Sequence, residues 1–334
     1  MVGCNKLAMI NRRCKEAKGC DEDFRGLIVL LLGDIKQLPP VRDNSFFSKK
    51  STFTAWQRSI CAYTCHRQAQ DQKFVSLLDN MSELQVSKSD YAYLSSRFTH
   101  NVSTEEKEAF QNALRLFSTK KEVKAYNIGK LAALIDSRTG LSTPVLKIKA
   151  KHNCSQAKEE TTENAEGLEA EMYPAKGCKV MLKRNLWIDK KLCNGTIGTV
   201  HDILFAPESD TPSVILCHFP SYNGPSLTPG SNIVPIKPIL KSWTNDNGVN
   251  CTRYQFPITL CYACSIHKSQ GMTLDKAIIN IGEQDFSLGL SYVAFSRVRS
   301  LNDLLIEPFC VKRLEPSHSV LATLEMRKDF LENI

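Results

Sequence analysis

Apolar and polar positions change texture several times along these 334 residues. The sharpest apolar run is Leu27 to Leu32, in GLIVLLLGD. A continuous run of this length bounded by Gly-Asp predicts a central strand of a parallel sheet, buried on both faces. Its carboxyl end hands Asp34 and Gln37 to a loop, and Pro39-Pro40 stops further regular structure. Residues 66–84 space Phe74, Leu77, Leu78 and Met81 along one helical face. Leu114 to Tyr126 reads as a strand, a turn at Ser118-Thr119 and a helix start, with Thr119 and Glu122 as a capping box. Lys158 to Glu171 is acidic and predicts a linker or frayed helix.

From Tyr173 to about Ile239 the pattern becomes short β-like runs: KVMLKRN, TIGTVHDILF, SVILCHF and NIVPIKPI. Asn194-Gly195 is a hairpin turn signal among them. The spacing predicts a small all-β insert. Sheet-and-helix texture resumes at Phe256, where ITLCYAC reads as a core strand. The whole is an α/β chain, divided at 1–86, 87–170, 171–245 and 246–334.

Composition narrows this modestly. Hydrophobic content of 42% and charged content of 23% are those of a globular protein. Forty-three basic against 35 acidic residues give +8, which suits a polyanionic partner without requiring one. The 13 cysteines are odd in number. Lys6, Arg12, Arg13, Lys15 and Lys18 crowd the first twenty residues, with no apolar core of a secretory signal. A reducing intracellular compartment is expected. Leu27 to Leu32 is too short to span a bilayer. Cys261-x-x-Cys264 and the cluster Cys61, Cys65, His66 each lack a second ligand pair, so structural thiols are expected and no metal site is assigned.

Candidate chemistry comes from polar residues at strand ends. Triphosphate chemistry needs positive charge and positioning around the terminal phosphate. The sequence contains no GxxxxGK[ST], and none of its 16 glycines stands five residues from another. Asp21-Glu22 comes after Lys18-Gly19-Cys20 rather than an apolar strand, and reads as a solvated turn. On the residues alone, Arg67 and Arg297 read as surface arginines at helix starts. HKSQG alone is as readily an ordinary turn, and Lys120 and Lys121 read as solvated lysines on a capped helix start.

Taken in order, the blocks say more. GDIKQLPPV (from Gly33), HRQ with Phe74 and Leu77 downstream, KGCKVMLKRN with NGTIGTV, QFPITLCYACSIHKSQGMTL and YVAFSRVRS succeed one another along the chain. Together they resemble the petite-integration-frequency family of superfamily 1B DNA helicases, whose blocks are shared by helicase-like proteins of Helitron transposons. The resemblance implies a P-loop NTPase fold of the RecA-like helicase type. It would comprise an incomplete first RecA-like domain and a second carrying an SH3-like β-barrel. It implies a γ-phosphate sensor at Gln37, supported by Asp34, and two arginines, Arg67 and Arg297, reaching that phosphate. Gly271 would lie by the nucleotide. Ser118, Thr119, Ser265, His267, Lys268, Ser269 and Gln270 would contact DNA. ATP and Mg²⁺ are the implied cofactors. Single-stranded DNA and duplex/single-strand junctions are the implied partners of a monomer in the nucleus or mitochondrion. In the insert, Lys176, Lys179, Lys183 and Arg184 read as a single-strand groove or a solvated face. Trp187 reads as a core aromatic, with base stacking as the alternative.

The family pattern puts a phosphate loop and an Asp-Glu strand ahead of GDxxQLPPV. Here Met1-Val2-Gly3 with KLAMI resembles the family segment immediately downstream of that acidic pair. The expectation is the carboxyl-terminal portion of a 5′-to-3′ ATP-dependent helicase acting in DNA repair, recombination and telomere maintenance, unable to hydrolyse ATP by itself. Without flanking strands, Leu27 to Leu32 would expose its faces and edges. A non-motor single-strand-binding remnant, of cellular or transposon origin, is the alternative. A cysteine-rich zinc scaffold is a third.

Overall fold

The structure is a computed structural model. It describes residues 2–19, 21–40, 42–46, 67–68, 70–136, 138–228, 230–282, 287–315 and 318–332. The cluster Cys61, Cys65, His66 lies outside them. The chain forms two compact units, Met1–Lys120 with Cys264–Ile334, and Lys121–Ala263.

The first unit is built on a four-stranded sheet in the order Ala263–Ser265, Leu114–Phe117, Ala277–Asn280, Leu304–Ile306. The last three run parallel, Leu114 opposite Ala277 and Ala277 opposite Leu304. Leu116, Ala277, Ile279, Leu304 and Ile306 are fully buried, as strands covered on both faces should be. Their carboxyl ends share one edge, where ligands of open α/β sheets bind.

The helix predicted over 66–84 is Gln72–Ser82, and it buries Phe74, Leu77, Leu78 and Met81 as expected. It starts at Gln72 because the Asp71 carboxylate accepts the Phe74 N–H at 3.0 Å. The other Asp71 oxygen accepts from the Ser300 hydroxyl at 2.9 Å, which ties this helix start to the loop after Phe295.

Leu27 to Leu32 departs from the expected buried strand. It forms no strand, and Ile28, Leu30 and Leu32 are 102%, 79% and 88% exposed. Among the described residues no backbone hydrogen bond is donated by Ile28 through Leu32. An apolar run becomes a buried strand only where neighbouring strands satisfy its peptide groups.

In the second unit the short β runs form antiparallel sheets. One has five strands, in the order Ile258–Leu260, Lys179–Leu182, Ile197–Phe205, Pro212–His218, Ile233–Ile236. Another joins Lys151–His152, Asn250–Gln255 and Ile239–Thr244. Val180, Leu182, Val200, Ile215, Cys217, Phe219 and Phe256 make its core.

Three expectations for this unit are corrected. ITLCYAC is not one strand. Ile258–Leu260 and Ala263–Ser265 belong to different sheets, split by a turn that Asn127 clamps. Its Oδ1 accepts from the N–H groups of Tyr262 and Ala263 at 3.0 and 2.8 Å, and its Nδ2 donates to the Ala263 carbonyl at 3.1 Å.

The acidic stretch Lys158 to Glu171 is packed rather than a linker. Ala165 and Leu168 are fully buried. The buried Arg253 guanidinium donates to the carbonyls of Ala157, Glu160 and Leu168 at 2.7 to 2.9 Å. A desolvated cation fixes the carbonyls around it because losing them would leave a charge unsolvated. Glu166 pairs with Arg184 at 2.6 Å and Lys241 at 3.0 Å.

Trp187 is exposed, not a core aromatic, and stands between exposed Leu186 and Ile188. Of the insert's other basic residues, Lys176 pairs with Asp202 at 3.3 Å.

Candidate nucleotide and nucleic-acid site

The site assembles in the first unit from three segments remote in sequence. In the loop 34–37 the Asp34 carboxylate accepts the Lys36 N–H at 2.9 Å through one oxygen and the Gln37 Nε2 at 2.9 Å through the other. This turn of self-bonding explains why Asp and Gln three residues apart hold one loop. The Lys36 ammonium reaches Asp79 at 3.0 Å and anchors the loop on the helix Gln72–Ser82.

The second segment lies just after the strand Ala263–Ser265. The Ser265 hydroxyl caps the short helix Ile266–Ser269 by accepting the Lys268 N–H at 3.3 Å. Gln270, just beyond, donates from Nε2 to Gln37 Oε1 at 3.0 Å. Gln270, Gln37 and Asp34 thus form one polar chain. Gly271 has a φ of 84°, a left-handed conformation that favours glycine.

The third segment is the helix Leu290–Phe295 and the loop after it. Tyr292 donates to Asp34 at 3.4 Å. Burial and the Asp34 and Asp79 carboxylates push its phenol up. Arg297 is 2% exposed. Its Nε donates to the Val293 carbonyl at 2.7 Å, Nη1 to the Ser269 carbonyl at 3.4 Å, and Nη2 to the Ser296 hydroxyl at 2.6 Å. Arg67 donates to the Ser296 carbonyl at 2.5 Å. Gln68 donates to the carbonyls of Ser296 and Val298, which fixes the turn that carries Arg297. Burial, then the neighbouring Arg67 charge, lowers Arg297 to about 10, against the opposing pull of Tyr292 and Asp34. It therefore remains a cation at neutral pH. Neither arginine is the exposed surface residue that the local sequence alone suggests.

Gly289 lets these segments meet. A Cβ there would stand 2.7 Å from the Lys36 carbonyl, and its φ is 82°. Backbone approaches backbone at that point.

The residues expected along nucleic acid divide by exposure. Thr119 is exposed, and His267 and Lys268 are half-buried. Burial and the Lys120 charge lower His267, so the ring is neutral near pH 7. Ser118 and Ser269 are buried. The Ser269 hydroxyl donates to the Ile266 carbonyl at 2.8 Å while its own carbonyl receives Arg297, so its side chain faces inward. The Ser118 hydroxyl has no hydrogen-bond partner among the described residues and lies 3.4 Å from where a Cβ on Gly282 would stand.

Cys261 and Cys264 are both buried, and burial pushes the Cys264 thiol up to about 12. Among the described residues no three His, Cys, Asp or Glu side chains gather as a metal site. No helix among them is long and apolar enough to cross a membrane.

Site reasoning from sequence alone missed Tyr292, Gln68, Ser296 and Gly289. Three of these adjoin singled-out arginines or lie in the same block, so proximity in sequence was the available signal. Gly289 had none.

The parallel sheet, with polar loops and paired arginines gathered beside it, is an α/β fold that matches the RecA-like domains of solved Pif1 helicases. Solved structures agree in fold. Pif1 helicase from Candida albicans superposes with a TM-score of 0.73 at 23% identity, over 100% of this chain and 75% of that one. Bacteroides Pif1 in complex with ADP-AlF3 and single-stranded DNA gives 0.71 at 22% identity, over 99% and 73%. No protein-family model matches the chain. Among curated proteins, Xenopus laevis ATP-dependent DNA helicase PIF1 is 30% identical over 92% of this chain and 45% of its own length. Trypanosoma brucei brucei helicase PIF7 is 28% identical over 94% of this chain and 36% of its own. The chain belongs to the Pif1 family, the petite-integration-frequency helicases. It spans about half or less of the length of these curated relatives.

Proposed function

We propose that this chain is the carboxyl-terminal portion of an ATP-dependent DNA helicase that moves 5′ to 3′ and unwinds DNA in genome maintenance. The observation that carries this reading is the Gln270–Gln37–Asp34 chain of hydrogen bonds. It joins the loop read as the γ-phosphate sensor to the segment read as the DNA contact, which is the coupling a nucleic-acid motor needs. Arg67 and Arg297 meet at Ser296 and supply the positive charge that a transferring phosphoryl group requires.

These residues fit one side of an ATP site. Gln37 orients at the terminal phosphate, Arg67 and Arg297 neutralise it, and Asp34 holds the loop. No GxxxxGK[ST] occurs among the 334 residues, and on this reading the chain alone does not turn over ATP. Thr119, Ser265, His267 and Lys268 lie along single-stranded DNA, and the antiparallel insert acts as an SH3-like barrel. The protein would work on DNA in the nucleus or mitochondrion.

Two measurements on the purified chain test this. Fluorescence anisotropy should detect single-stranded DNA binding that weakens steeply between about 50 and 200 mM salt, and that Arg297→Ala leaves largely intact. Steady-state assays should find no ATP hydrolysis with or without DNA. Absence of binding at the lower salt would sink the DNA reading. Turnover that disappears in Arg297→Ala would overturn the incompetence of the isolated chain. Binding that persists in a protein that also carries the phosphate loop but shows no DNA-stimulated turnover would instead favour the non-motor remnant.

A further inference from the structure

Within the Lys121–Ala263 unit, two thiols face each other. The Sγ atoms of Cys154 and Cys251 are 4.0 Å apart. Their placement comes from the strand register. Asn250–Gln255 runs antiparallel to Lys151–His152, with Arg253 opposite His152 and Tyr254 opposite Lys151. Carrying that register two residues further sets Cys251 opposite Cys154. Between them the side chain of Asn153 continues the ladder. Its Nδ2 donates to the Asn250 carbonyl at 2.9 Å and its Oδ1 accepts the Thr252 N–H at 2.7 Å. Directly opposed residues on an antiparallel pair hold their Cβ atoms about 4.5–5.5 Å apart, and a disulfide needs about 3.5–4.5 Å. A small inward shift of the edge segment closes that gap.

Access is unequal. Cys154 is partly exposed, whereas Cys251 is buried. An oxidant therefore meets Cys154 first, and Cys251 is placed to resolve the product.

We propose that Cys154 and Cys251 are a redox-modifiable dithiol, converted to an intramolecular disulfide by small-molecule disulfides such as oxidised glutathione. The Cys154 thiolate attacks one sulfur of the oxidant, forming a mixed disulfide and expelling one glutathione thiolate. The Cys251 thiolate then attacks Cys154 Sγ and expels the second. Two protein thiols lose two electrons and two protons, and one disulfide becomes two thiols. The new bond fixes the segment after Cys154 to the strand Asn250–Gln255. That segment supplies the Ala157 and Glu160 carbonyls that hold buried Arg253. In the reduced form this edge is paired through a strand of only two residues.

The test treats the full chain with oxidised glutathione, blocks remaining thiols with N-ethylmaleimide and maps peptides by mass spectrometry. Exposed Cys310 serves as the control for reagent access. The expected result is a Cys154–Cys251 cross-linked peptide, with the melting temperature raised by roughly 5 to 10 °C and restored by dithiothreitol. In Cys251→Ser, the glutathione adduct should accumulate on Cys154 instead. Two results would overturn the proposal. One is both thiols alkylated while Cys310 is fully modified. The other is an equal glutathione adduct on Cys154 in the unaltered chain and in Cys251→Ser.

Discussion

Two apolar runs meet opposite fates in this molecule. Leu27 to Leu32 is six consecutive aliphatic residues, and Ile28 is fully exposed. Ala277–Asn280 is shorter and less apolar, yet Ala277 and Ile279 are fully buried. The difference lies in the neighbours. Ala277–Asn280 has a parallel strand on each side, Leu114–Phe117 and Leu304–Ile306. Leu27 to Leu32 has none among the described residues. Hydrophobicity supplies a driving force, but the strand state needs partners for every peptide group.

The largest expected effect that tests this contrast is Ile279→Ala. It should cost about 2–5 kcal/mol by chemical denaturation, because it opens a cavity in a covered sheet. A cost under about 0.5 kcal/mol would mean that the sheet is not the core of its unit. Gly289→Ala comes next, at about 1–3 kcal/mol, since it combines a left-handed backbone with a clash against the Lys36 carbonyl. Its loss should also disturb the loop 34–37, seen as changed amide shifts there. Unaltered shifts would show that the close approach does not position that loop. The smallest effect belongs to the triple change of Ile28, Leu30 and Leu32 to Ser. Stability of the chain should move by no more than about 0.5 kcal/mol, while self-association by light scattering falls. A large destabilisation would show that the run is buried after all. Hydrogen exchange sharpens the same comparison, with amides 28–32 fast and those of Ala277–Asn280 slow.

Much of the fold is legible in the order of residues. The helix carrying Phe74, Leu77, Leu78 and Met81 can be read from spacing alone, and so can the strand Leu114–Phe117 and the β-rich middle. Outcomes set by distant partners could not be read. ITLCYAC looks like one strand until Asn127, more than a hundred residues earlier, clamps its middle. The acidic stretch around Glu166 looks solvated until Arg253 is buried beneath its carbonyls. Trp187 looks like core because large aromatics are usually covered, yet it sits on a loop.

The candidate site shows the same division. The resemblance carried by block order singled out Asp34, Gln37, Arg67, Gln270 and Arg297. Asp34, Gln37 and Gln270 also follow apolar runs, where chemistry is placed, whereas Arg67 and Arg297 read from the residues alone as surface arginines. Sequence could not say that Gln270 bonds Gln37, that Arg67 and Arg297 share Ser296, or that Ser269 turns its hydroxyl inward. Block order and residue type, which descend with the chain, determined the family and the candidate groups. Distances, burial and partners were decided only by tertiary structure, because pairs such as Gln37 with Gln270 and Arg67 with Ser296 join segments remote in sequence, and because burial depends on which peptide groups find a neighbour.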